Sequence, residues 1–309
     1  MRKLLTVIAC FIAAGLSLAA QNSTSDYIIR YGNLVKRVGS SGIGVETLLD
    51  RWAAAYPDDV DMLVARYNYF FDKSRTVEVV VRQEDKFLGE KPLITLTDSL
   101  GVKSNYFQEV FYSDSLFALS SQAIDRAIRL APDRIDLRLE KVAALTAYEK
   151  DSPDMASSTL AGLIDYNASN HPQWIFQGEA ITDDDFQSLI QEYCYAFFYI
   201  GSPTSLEAFR SLSEKMLKYY PSNTDFIDNI GSYYLVARKD SKQALKYYNK
   251  ALKIKKDDYS AIKNCVLLAR NQKNVKLEKK YLPMLAQYGQ TEAEKAAAKA
   301  RLDALNAGK

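Results

Sequence analysis

The sequence predicts an all-α fold: a solenoid of helix hairpins carrying one small β-hairpin insertion. Three observations support it. Apolar residues recur at helical spacing in segments of about 14 residues separated by short polar turns. Acidic residues, Ser or Thr stand at most segment starts, where they satisfy free backbone N–H groups and complement the helix dipole. One run, Thr76-Val77-Glu78-Val79-Val80-Val81-Arg82, breaks the helical rule by being β-branched. The composition of the 309 residues is globular, with 48% hydrophobic and 25% charged.

Taken in order, 45–55 reads as an amphipathic helix, and Asp58-Asp59 cap a second one over 60–72. Residues 75–112 read as a β-rich insertion between two helices of one hairpin. Its strands are 76–82, 93–97 and 105–112, with Asp98-Ser99-Leu100-Gly101 as a turn; the competing reading is an irregular loop. Helices follow over 114–130, from Pro132-Asp133 to about 149, and from Pro153-Asp154 to about 167. After His171-Pro172 comes an irregular stretch, and Asp183-Asp184-Asp185 then open a helix to Ile200. Gly201-Ser202-Pro203-Thr204-Ser205 is a tight break before 206–220. The remaining helices are placed at 224–238, 241–254, 258–271, 275–288 and 291–306.

Residues 224–257 form the clearest unit. Its first helix carries Ile227, Ile230, Gly231 and Tyr234, and its second carries Ala244, Tyr248 and Ala251. This pattern resembles the tetratricopeptide repeat, in which small residues let paired helices approach and aromatics fill the remaining volume. The repeat family often closes on Pro followed by an acid or amide, as at Tyr56-Pro57-Asp58, Pro132-Asp133 and Pro221-Ser222-Asn223. Departures exist: Lys256 stands where a proline is expected, and 183–200 lacks the Gly-aromatic signature. The resemblance spans about 45–290. It implies a right-handed superhelical repeat domain over 25–309, with partner peptides lying in a groove formed by first helices. Aligning Gly231 with the family's glycine puts Asp225, Asp228 and Ser232 on that groove. Weaker alignments add Glu140 and Tyr148 from an earlier repeat, and Lys263 and Arg270 from the next.

The first 20 residues read as an export signal. Arg2 and Lys3 precede an apolar stretch, and Ser17 and Ala19 fit a small-x-small site that cuts after Ala20. An uncleaved anchor is the competing reading, though 17 apolar or small residues are few for a span. Val7-Ile8-Ala9-Cys10 has the outline of a lipoprotein box, but only six residues of the apolar run precede Cys10, so lipidation is not expected. The expected location is the bacterial periplasm or cell envelope. Cys194 and Cys265 sit in apolar helical patterns two repeats apart, beyond disulfide reach, and are expected as free thiols.

Much chemistry is excluded. A single histidine, His171, leaves no two-His zinc site, Ser-His-Asp triad or Cys-His pair. There is no Gly-x-x-x-x-Gly-Lys phosphate cradle, and Gly42-Ile43-Gly44 reads as a loop. Asp58-Asp59-Asp61 and Asp183-Asp184-Asp185 lack the alternation of a calcium loop and read as helix caps. No metal or cofactor is expected.

Charge is more informative. The net charge of +2 hides 14 basic and 4 acidic residues between Arg238 and Lys280. Lys242, Lys246, Lys250 and Lys253 stack on one helix face, opposite Ala244, Tyr248 and Ala251. The bland reading is a solvated face; the functional one is a patch for an anionic, acidic partner. Nucleic acid is not expected, because stacking aromatics and arginines are missing there. The aromatics of Tyr193 to Tyr199 surround their helix, which implies burial on most faces. The expected function is a non-catalytic scaffold binding a protein or peptide. The alternatives are an envelope carbohydrate-binding or uptake component, and a hydrolase with an unrecognised carboxylate pair.

Overall fold

The computed structural model describes residues 21–307. The export signal expected over 1–20 and the Cys10 motif lie outside them. Among the described residues 13 helices and two small antiparallel sheets are present, an all-α fold with a β insertion. The chain forms two compact units, divided between Leu189 and Ile190.

In the first unit, helices α1 (Gln21–Val38), α2 (Val45–Ala55) and α3 (Val60–Lys73) pack on one another in chain order. Asp59 caps α3, its Oδ1 accepting from the backbone N–H groups of Asp61 (2.8 Å) and Met62 (3.2 Å). Strands β1 (Arg75–Arg82), β2 (Ile94–Thr97) and β3 (Lys103–Tyr112) follow, and α4 (Asp114–Leu130) returns to pack against α3. The insertion therefore joins two helices of a hairpin that closes without it. Its root is fastened where Ser113 N donates to Ser74 O at 2.8 Å. An aromatic cluster seals the junction: Phe117 stacks on Tyr148 at 4.1 Å, and Phe71 and Tyr112 pack beside them.

The sheet has the order β1-β3-β2. Alternate residues of β3 turn inward, so Asn105, Phe107 and Glu109 are buried. Glu109 is paired with Arg82 and, at 3.3 Å, with Lys150. These bonds hold its carboxyl below the usual range.

Helices α5 (Ile135–Glu149) and α6 (Asp154–Asn170) form the next hairpin. The stretch read as irregular contains a minimal ribbon, β4 (Ile175–Phe176) and β5 (Glu179–Ala180). It holds Trp174 in the core, where the indole N–H donates to Asn167 Oδ1 at 2.8 Å. Helix α7 (Asp183–Ile200) spans the division between units. Its cap is a reciprocal box rather than the acidic triplet alone. Thr182 N donates to Asp185 Oδ2 (2.9 Å), and Asp185 N donates back to Thr182 Oγ1 (3.2 Å).

The second unit holds the end of α7, then α8 (Pro203–Tyr219), α9 (Thr224–Val236), α10 (Ser241–Ile254), α11 (Tyr259–Asn271), α12 (Val275–Tyr288) and α13 (Glu292–Asn306). From α8 onward each helix packs on the next in the chain, and α9 also touches α11. Ser202, Asn223, Asp240, Asp258, Asn274 and Thr291 each cap a helix with a side-chain oxygen. α9 and α10 cross at Gly231, where an added Cβ would lie 2.5 Å from a ring carbon of Tyr248. Ala244, Tyr248 and Ala251 are fully buried at this crossing, so the small residues do here what the repeat resemblance implies. Tyr234 stacks on Tyr247 at 5.5 Å. Cys194 and Cys265 are free and buried, and burial pushes each thiol up to about 12. Of the aromatics from Tyr193 to Tyr199 only Phe197 is fully buried, while Tyr195 is exposed.

The crossing yields a paired stability prediction. Gly231→Ala drives a methyl into an immobile ring and should cost about 1–3 kcal/mol. Gly162→Ala in α6 meets nothing within 4 Å and should be stabilising by about 0.5–1 kcal/mol, as expected for helix propensity. Urea denaturation of both variants measures the difference; equal effects would show that the crossing is looser than described.

Candidate functional site

The residues assigned to a groove by the repeat alignment divide into three local clusters. The first is in the second unit. Asp225, Asp228 and Ser232 follow one another along α9, which begins after the Asn223 cap. Asp225 is exposed, whereas Asp228 is only 4% exposed and neither of its carboxyl oxygens has a donor. Its neighbour is Asp258, the buried cap of α11, whose two oxygens accept from Thr224 Oγ1 (2.6 Å) and Ala261 N (3.1 Å). Burial, with Asp258 beside it, pushes Asp228 up to about 9. Asp228 is thus held protonated at neutral pH beside Asp258. Ser232 Oγ lies 3.3 Å from the hydroxyl of Tyr248.

The second cluster is on α11. Lys263 Nζ donates to the Tyr259 hydroxyl (2.6 Å) and lies 3.4 Å from Glu294. Arg270, at the far end of the same helix, donates from Nε to Glu278 at 2.9 Å. Glu278 is buried and also binds Arg301 through both its oxygens, at 3.0 and 3.2 Å. The two guanidinium groups hold the Glu278 carboxyl below its usual range. Arg270, Lys273, Glu278 and Arg301 line an open pocket of about 570 Å³.

The third cluster is in the first unit. Glu140 is half-buried on α5, but its Oε2 is buried without a partner. Burial, together with Asp136, pushes its carboxyl up to about 7, opposed by Arg134. Arg134 itself grips Asp136 from Nε at 3.0 and 3.2 Å. Tyr148, two turns further along, donates to Asp114 Oδ1 at 2.7 Å and lies in the aromatic cluster at the insertion's root. The structure joins Asp225, Asp228 and Ser232 to Asp258 and Tyr248, which the alignment omitted. The signal for Asp258 was present in Asp257-Asp258, two acids at the start of the helix read at 258–271.

The predicted basic patch has a different character. Lys242, Lys246, Lys250 and Lys253 are all exposed on α10, opposite Ala244, Tyr248 and Ala251, and none of them enters an ion pair among the described residues. No group of three or more His, Cys, Asp or Glu side chains able to hold a metal ion occurs among the described residues. No described helix is long and apolar enough to cross a membrane.

No family model and no curated protein matches the sequence. Among solved structures the chain is similar to one described as "Functional Characterization of Pseudomonas Aeruginosa pilF". The identity is 14%, the TM-score is 0.40, and the alignment covers 62% of this chain and 77% of that one. The hairpin assignment rests on packing within this chain.

The acid pair sets a pH dependence. An unfolded aspartate releases its proton near pH 4, whereas the folded chain holds the Asp228 proton to about pH 9. Unfolding therefore releases a proton between these limits, and stability falls as pH rises through the window. Asp228→Asn keeps a donor for Asp258 but cannot ionise. Relative to wild type it should gain stability from pH 5 to 9, by up to about 1.4 kcal/mol per pH unit. Urea midpoints measured across that range test this; parallel wild-type and variant profiles would refute the buried, protonated Asp228.

Proposed function

We propose that the chain is a non-catalytic protein-interaction scaffold of the bacterial periplasm or cell envelope, and that its partner presents an acidic peptide or protein surface. The observation that supports this reading is the lysine row on α10. Four cations stacked on one helix face repel one another at i,i+4 and i,i+3 spacing, and no carboxylate among the described residues forms an ion pair with them. Elsewhere in this unit Glu278 is paired with two arginines and Glu294 with Lys263. An acidic partner would supply what the fold does not, and would be steered to the surface by the local positive field.

The groove reading adds a second part to the same proposal. Asp225 and the partly exposed ends of Lys263 and Arg270 offer polar contacts to an extended segment along α9 and α11. Asp228 and Ser232 would support that surface from within rather than touch the partner.

A hydrolase reading asks for a carboxylate pair in a cleft. Asp228 and Asp258 are a pair, but each is buried, and both oxygens of Asp258 are already bonded to Thr224 and the α11 backbone. A glycosidase pair stands about 5 Å or more apart across an open cleft, with room for water or sugar between the groups. The pair here is buried in a helix junction with Asp228 protonated, which fits a structural acid better than a catalytic one. The carbohydrate reading asks for exposed aromatic platforms; the tyrosines of this unit that pack closest, Tyr234 with Tyr247 and Tyr248 with Gly231, are spent on hairpin packing.

The test compares the wild-type chain with a Lys242→Glu, Lys246→Glu, Lys250→Glu, Lys253→Glu variant in cross-linking capture from envelope extract. Proteins recovered by wild type should be lost from the variant, and their capture should weaken as salt is raised from 50 to 500 mM. Recovery of the same proteins by both chains, insensitive to salt, would sink the proposal.

A further inference from the structure

The three-stranded sheet has a long open edge. β3 lies between β1 and β2, so the eight-residue β1 has a neighbour on one side only. Two hydrogen bonds fix which backbone groups face outward. Leu93 N donates to Tyr106 O at 2.7 Å, and Ser113 N to Ser74 O at 2.8 Å. Even-numbered residues of β3 therefore bond toward β2, and odd-numbered ones toward β1. With Glu78 opposite Glu109 and Val80 opposite Phe107, the even residues of β1 bond to β3. The N–H and C=O groups of Val77, Val79 and Val81 then point out along the open edge. Their side chains are 52%, 62% and 53% exposed, on a face continued by Ile94 and Leu96 at 53% and 49%.

Natural edges of this length are usually blocked by proline, a bulge or charge. β1 has no proline, and its pairing with β3 runs without a break in register from Arg75 to Arg82. Its charges are Arg75, Glu78 and Arg82. A strand that completed the edge would need apolar residues on the valine side and opposite charges facing Glu78 and Arg82. β1 meets that description itself.

We propose that two copies of this chain associate by antiparallel pairing of β1 with β1 about a two-fold axis through Val80, forming one six-stranded sheet. In this register Val79 faces Val81 of the partner subunit, and their outward backbone groups exchange hydrogen bonds. Glu78 faces Arg82 of the partner subunit at both ends, in non-hydrogen-bonded positions where side chains approach most closely. An axis through Val79 also matches the backbone groups, but it sets Glu78 opposite an apolar Val80, so charge selects the first register. The contact is isologous, as a closed dimer requires. The insertion carries five basic and six acidic residues between 75 and 112, which leaves two copies almost without net repulsion.

Sedimentation velocity of the full chain from about 1 to 200 µM, the range in which small interfaces associate, tests the proposal. A concentration-dependent dimer is expected, with slower amide exchange at Val79 and Val81 as it forms. Val79→Pro removes only an edge-facing N–H, and Glu78→Lys sets Lys against Arg; each should weaken association about tenfold or more. Val79→Thr keeps the backbone and the branched shape and should retain it. Should Val79→Pro fail to fold, Glu78→Lys at an exposed position carries the test. A monomer at every concentration, or a dimer indifferent to Glu78→Lys, overturns the proposal.

Discussion

The ring of Tyr248 occupies the space that any side chain at position 231 would need, and the arrangement of α9 and α10 follows from that contact. Close approach of the two backbones fixes how each helix is rotated. With Tyr248, Ala244 and Ala251 committed to the crossing, the i+4 series of lysines on α10 has no direction left but outward. On α9 the same rotation turns Ile227, Ile230 and Asp228 inward together. An acid is thereby carried into the core by its neighbours' packing, and the proton it keeps is the local solution. Removing the charge is cheaper than hydrating it there.

The chain therefore handles its two kinds of charge in opposite ways. Carboxylates that enter the interior are gripped by guanidinium or ammonium groups, as Glu278 and Glu109 are, neutralised by a proton, as Asp228 is, or bonded as a helix cap, as Asp258 is. The α10 lysines stay in water and find no such partner. The near-zero net charge of the whole sequence conceals this division, since the balance is between places rather than between neighbours.

Much of the architecture was legible in the residues. The helix boundaries from 45 onward, the strands of the insertion and the Gly231, Ala244 and Ala251 crossing followed from spacing and side-chain size. The helix α1 was not read, because it is held by Tyr27 and Tyr31 stacking on Trp52 rather than by an aliphatic stripe. The ribbon at β4 and β5 was also missed: two residues per strand carry no periodicity, and its anchor, Trp174, is recognised only through Asn167 and Phe186 in space. Tyr195 misled for the converse reason, since an aromatic-rich helix reads as buried on every side whether or not all sides are covered. For the candidate site, the lysine row was visible as periodicity, but the Asp228 and Asp258 pair was not, because 30 residues of chain separate two groups that only the fold brings together.

The single hydrogen bond from Ser113 to Ser74 has a consequence for how such a chain can change over time. To α3 and α4 the whole sheet behaves as a very short turn, because the two ends of the excursion meet at its base. The entropy of closing a loop grows only with the logarithm of its length once the ends are held. Strands could therefore be lengthened, exchanged or deleted beyond Ser74 and Ser113 at little cost to the hairpin beneath. The insertion is in that sense a graft on a joint that was already closed, free to diversify while the helical frame stays constant.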